Sequence, residues 1–159
     1  MPRRRRPDQW YLFGVPAVVA DFLRRFCGAW SGELDLATLE RVTSVLQSKS
    51  LQERRPDQVW RAARRDGQGF VYIAFEFQSR PDPQMPLRVL EYQTLLLGEL
   101  LRARSLQGKR TGTVVSVVTC SGVRAWRVPK GRGECIGLGR YGLGGHGAEC
   151  ALRLHRHVA

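Results

Sequence analysis

Between Asp57 and Gln78 the chain alternates, turns and alternates again, and this pattern constrains the fold more than any other stretch of the sequence. Asp57 to Arg64 alternates weakly, Asp66-Gly67 is a strong hairpin signal, and Phe70 to Gln78 (FVYIAFEFQ) alternates clearly. The predicted β-hairpin therefore joins Asp57 to Glu76. On its second strand Val71, Ile73, Phe75 and Phe77 take one face, and Glu76 and Gln78 take the other. Burying a carboxylate among aromatics costs several kcal/mol unless a cation or hydrogen-bond donors compensate it. Glu76 needs such a partner.

At 159 residues the chain suits a single core. Its formal charge of +12 comes from 26 basic residues against 14 acids, and only Lys49, Lys109 and Lys130 among the former are lysine. Arginine grips phosphate through a planar fork, so a polyanion is the expected partner, double-stranded DNA ahead of a membrane surface. The four cysteines form no CxxC pair and read as reduced thiols; Cys150, His155 and His157 lack the second close pair that a zinc site wants. The longest apolar run, TLLLGELL, is too short to span a bilayer and is broken by Glu99. A soluble, cytoplasmic, DNA-associated bacterial protein without a small-molecule cofactor is expected, and one that could act as a homo-oligomer.

Met1 to Pro7, with Arg3, Arg4, Arg5 and Arg6 in succession, reads as a disordered basic arm able to touch phosphates. Pro16 to Phe26 has helical spacing at Val18, Val19, Phe22, Leu23 and Phe26, with proline suited to the first turn. Leu34 to Val45 predicts a short helix around Leu36 to Leu39, then a strand through Val42 and Val45. Leu87 to Arg104 is a helix apolar almost all round, which predicts packing against a sheet on one side and something else on the other. Thr113 to Thr119 (TVVSVVT) is a further strand. From Gly131 to Gly147 eight glycines and no apolar period leave little for a core. GLGRYG and GLGGHG there match the dinucleotide pattern in letters only, with no strand before, no helix after and no acid at the required distance. Residues 129–159 are therefore expected to be a divergent tail.

Phosphodiester hydrolysis near neutral pH needs a nucleophilic water and charge neutralisation at phosphorus, and magnesium held by carboxylates can provide both. Magnesium takes oxygen ligands and keeps several waters. Asp57 and Glu76 on neighbouring strands, with the backbone carbonyl of Phe77, meet that requirement, and Gln78 is placed to orient water or phosphate. The plain structural alternative makes Asp57 a turn residue after Pro56 and pairs Glu76 with an arginine such as Arg61 or Arg88.

The run from Glu53 to Leu101 resembles the core of the Rpn or YhgA-like transposase family of the PD-(D/E)XK nuclease superfamily. The matching letters are Arg55, Asp57, Glu76, Phe77, Gln78, Ser79, Met85, Arg88 and Tyr92. The early helix at residues 16–26, the segment from Leu34 to Val42, and Val114 to Trp126 are also similar to the family. The resemblance thus covers roughly residues 8–128. It implies an α/β, restriction-endonuclease-like core with a central mixed sheet flanked by helices, in a domain that is truncated relative to longer members. It also implies that Asp57 and Glu76 bind the metal and that Gln78 stands where the superfamily usually has lysine. Two departures stand out: Asp8-Gln-Trp-Tyr-Leu-Phe13 is shortened and lacks the family's basic residue, and the tail after Lys130 looks like a frame-shifted remnant.

The reading is a magnesium-dependent DNA endonuclease that promotes recombination, with Asp57, Glu76 and Gln78 catalytic, and with Arg3, Arg4, Arg5, Arg6, Arg55 and Arg88 on the DNA. The rival is a decayed, non-enzymatic DNA-binding relative. A third possibility is a globular protein whose basicity reflects only an arginine-heavy genome.

Overall fold

The structure is a computed structural model that describes residues 11–43, 56–78, 82–105, 113–120, 137–139 and 151–153. Helix α1 (Pro16–Phe26) is followed by the single turn α2 (Gly28–Ser31) and strand β1 (Leu34–Arg41). The hairpin β2 (Gln58–Arg64) and β3 (Phe70–Gln78) comes next, then the long helix α3 (Met85–Ser105) and β4 (Thr113–Cys120). These strands form one sheet in the order β1-β2-β3-β4, antiparallel except for the β3–β4 pair, which is parallel. Parallel neighbours need a crossover, and α3 is that crossover. Two short strands pair antiparallel, β5 (Gly137–Gly139) within the glycine-rich stretch and β6 (Ala151–Arg153) after it. The result is a mixed α/β arrangement, as the sequence predicts.

The hairpin forms where the turn chemistry puts it. Gly67 N–H donates to the Arg64 carbonyl, Gly67 has a φ of 71°, and Arg64 N–H donates to Gly69, whose φ is 103°. Both glycines occupy backbone conformations that a side chain would disfavour. Asp66 tightens the turn by accepting the Gln68 amide hydrogen at 2.9 Å.

Alternation gives the sheet two apolar faces. Trp60, Ala62, Val71, Ile73, Phe75, Val115 and Val117 pack with Val19 and Leu23 of α1. On the other side Val59, Tyr72 and Val114 pack with Leu96 and Leu100 of α3. Strand β4 is covered on both faces, which is why it reads as near-continuous valine. Phe13 lies against Phe22, Phe75 and Phe77, with ring centroids 4.9 to 5.3 Å away, so the aromatic residues flanking Glu76 are clamped on the α1 side.

Three expectations are corrected. The segment around Leu36 to Leu39 is strand, not helix. A register shift between Asp35 and Glu40 inserts extra residues, so buried Leu36 and Leu39 fall three apart and imitate a helical period. Thr38 substitutes for the interrupted ladder: its Oγ1 donates to the Asp35 carbonyl at 2.7 Å and accepts the Ala63 amide hydrogen at 2.8 Å. The strand expected through Val42 and Val45 ends at Arg41, and Val45 lies outside the described residues. Helix α3 buries only one stripe, Met85, Val89, Tyr92, Leu96 and Leu100, while Leu87, Leu90 and Leu101 are exposed. No second covering layer is present among the described residues.

Candidate functional site

The last paired residues of the hairpin on this side are Gln58 and Phe75, and Asp57 sits one step beyond them, just before β2 rather than within it. Its N–H donates to the Phe75 carbonyl at 2.9 Å. Its Oδ2 accepts the Phe77 amide hydrogen at 2.8 Å. The carboxylate is thereby fixed against the main chain immediately following Glu76. Buried Gln58 is locked as well, accepting from Trp60 Nε1 at 3.1 Å.

Glu76 is 1 % exposed. Its Oε1 accepts from Arg88 Nη2 at 2.8 Å and from Gln78 Nε2 at 2.6 Å. The compensation that burial demands thus comes from an arginine on α3 and from the amide two residues along β3, a charge-assisted contact being the stronger kind. Arg88 also donates through Nη1 to Asp82 Oδ2 at 2.7 Å. Asp82 is itself held at the start of α3: its Oδ1 accepts from the Gln84 amide at 2.9 Å and its carbonyl accepts from the Met85 amide at 3.0 Å. The helix is keyed to β4 further along by Gln93 Nε2, which donates to Ser116 Oγ at 2.8 Å in the interior.

Asp57, Glu76, Phe77, Gln78 and Arg88 are therefore brought together at one end of β3, linked through main chain or side chain. Gln78 orients Glu76 in this arrangement, and Arg88 is engaged by two carboxylates. Arg3, Arg4, Arg5, Arg6 and Arg55, the other expected DNA contacts, lie outside the described residues, as do Asp8, Cys150, His155 and His157. Cys27 is buried and in no disulfide. Asp82 was not singled out by sequence reasoning. An aspartate three residues before Met85-Pro86 is a helix-start signal, and that signal could have marked it. Among the described residues no three His, Cys, Asp or Glu side chains cluster as a ready-made metal cage, and no helix is long and apolar enough to cross a membrane.

Residues 11–138 match the family model described as "Putative transposase, YhgA-like". The chain belongs to that family. The YhgA-like match begins three residues after Asp8 and takes in β5 as far as Leu138. A relative within reach of direct alignment is the "Putative inactive recombination-promoting nuclease-like protein YjiP" of Escherichia coli (strain K12), 31% identical over 75 residues. The aligned part is 47% of this chain and 66% of the relative, so the chain spans just under two thirds of that protein's length. No solved structure matches this YhgA-like chain.

Proposed function

We propose that this chain is a magnesium-dependent DNA endonuclease of the recombination-promoting type, built on a restriction-endonuclease-like core and acting on double-stranded DNA in the bacterial cytoplasm. The observation that carries the reading is the placement of the Asp57 carboxylate on the amide of Phe77, the residue that follows the buried Glu76. Two carboxylates supplied at the same end of β3 suit magnesium, which needs few protein ligands because it keeps waters. Asp57 and Glu76 would hold the ion, with the Phe77 carbonyl as a further oxygen donor. When bound, magnesium supplies a water acidic enough to attack phosphorus and charge to neutralise the phosphate.

The chain's own residues do the rest. The Phe77 N–H fixes the Asp57 carboxylate so that it need not reorganise, and Gln78 and Arg88 fix that of Glu76. The surplus of arginine, including Arg3 to Arg6 and Arg55, would hold the phosphodiester backbone.

One observation favours the rival reading of a non-catalytic DNA-binding relative: Glu76 is engaged by Arg88 in a charge-assisted pair that can be purely structural. The name of the YjiP relative, inactive nuclease-like, agrees with such decay within this family. Cleavage of supercoiled plasmid by the purified chain, with magnesium and with chelator, separates the two. Magnesium-dependent nicking that disappears in Asp57→Ala supports the nuclease; equal cleavage by wild type and Asp57→Ala, whatever the metal, removes it and leaves the non-catalytic readings.

A further inference from the structure

Taking Asp57 and Glu76 as the metal-holding pair proposed above, we infer that Arg88 is the positioning residue of this site: it supplies from α3 the fixed positive charge that β3, ending in the neutral amide of Gln78, does not carry. Both side chains donate to the same oxygen, Glu76 Oε1, from two different elements. Only one of them is charged. A hydrogen bond from an amide satisfies a lone pair but leaves the carboxylate's charge in place, whereas a guanidinium opposes that charge at any physiological pH.

The guanidinium is not loosely placed. Asp82 Oδ2 holds Nη1 while Glu76 holds Nη2, and Asp82 is fixed in turn by the amides of Gln84 and Met85. Arg88 is therefore tethered at its far side whatever happens at Glu76. Asp57 and Glu76 bring two negative charges to this end of β3, and the one positive charge of Arg88 is shared between Glu76 and Asp82. A cation reaching Glu76 meets the charge of Arg88 at the same carboxylate. Arg88 thus offsets the charge of Glu76 before the cation arrives and weakens cation binding, and its Asp82 tether keeps it in the site afterwards.

Four variants test this: Arg88→Lys, Arg88→Gln, Arg88→Ala, and Arg88→Ala combined with Gln78→Lys. Lysine at 88 keeps the charge, glutamine keeps only hydrogen bonding, and lysine at 78 returns a charge to Glu76 from the strand. In chelator, Arg88→Ala and Arg88→Gln should melt lower by on the order of 10 °C, because the buried carboxylate is left without its countercharge. Arg88→Lys and the double variant should recover at least half of that decrease. Manganese titrated by calorimetry should bind Arg88→Gln roughly tenfold tighter than wild type, since a unit positive charge has left the site, and bind the double variant as wild type does. Nicking with magnesium should follow the charge, abolished in Arg88→Gln and Arg88→Ala and returned to the latter by Gln78→Lys.

Should Arg88→Gln melt and bind manganese like wild type, hydrogen bonding alone would explain the contact and the inference would be overturned. The same holds if Gln78→Lys restores nothing to Arg88→Ala. A wild type that never nicks DNA sinks the nuclease reading alone, because the melting series in chelator still decides the role of Arg88.

Discussion

Asp57 stands in for a piece of main chain: its Oδ2 accepts the Phe77 amide hydrogen at 2.8 Å at the step where the ladder between β2 and β3 stops. A side chain that terminates a ladder in this way has a structural duty as well as a charge. The two can be separated by substitution.

Asp57→Asn keeps an oxygen for the Phe77 amide and removes the charge, so its stability to urea should stay within about 1 kcal/mol of wild type, while Asp57→Ala should lose about 1–3 kcal/mol by stranding a part-buried N–H. Manganese affinity should fall in both variants alike. Equal stabilities of the two would show that the amide hydrogen bond contributes nothing measurable.

Thr38→Val tests the bulge of β1. The swap preserves shape but removes the hydroxyl that both donates to Asp35 and accepts from Ala63. An expected destabilisation of about 0.5–1.5 kcal/mol in chemical denaturation follows from removing these hydrogen bonds at an exposed site, where water takes up part of the loss. Retained stability would mean that water replaces the hydroxyl without cost.

Asp66 at the hairpin turn is held down to about 2 from an ordinary value of 3.8, first by its bond from Arg64 and then by the Gln68 amide. Because the folded value is the lower one, any stability it contributes is complete above the unfolded value and fades as pH falls through about 2. Carboxyl NMR titration should find Asp66 with its midpoint at about 2. In Arg64→Ala its midpoint should move back toward 3.8.

Deleting residues 1–7 should flatten the dependence of duplex affinity on salt. For every phosphate that Arg3 to Arg6 neutralise in the intact chain, the deletion lowers the slope of log affinity against log salt by about 0.9, with no change in sequence preference. An unchanged slope, measured by fluorescence anisotropy across a salt series, would show the arm to be solvated charge.

The parts of the fold that follow from local chemistry are legible in the sequence. Asp66-Gly67 announces the turn, FVYIAFEFQ announces a strand with one acidic face, and Pro16 announces a helix start; each forms as read. The exceptions have physical causes. Leu36 and Leu39 mislead because a bulge converts a strand's period of two into a spacing of three. The leucines of α3 suggest two covered faces, yet only the stripe through Val89, Tyr92 and Leu96 is buried, because leucine also serves as an ordinary helix former on a surface. The site divides in the same way. Glu76 is visible as a carboxylate in need of a partner, and Arg88 was one of two candidates. That Asp82 secures the other end of Arg88 depends on where the start of α3 falls against β3, and no periodicity records it.

The placement of both carboxylates on a single hairpin also decides how the site would respond to insertions and deletions. Lengthening the turn at 65–69 changes only a closed loop, where doubling the length costs about 0.6 kcal/mol, and leaves Asp57 facing the Phe77 amide. Removing one residue between Gln58 and Arg64 instead shifts Asp57 by one strand step of about 3.4 Å, out of reach of that amide, and exchanges the faces of Val59 and Trp60. Genetic length variation can therefore collect freely at the tip of this hairpin, while its shafts behave as a ruler that admits no change.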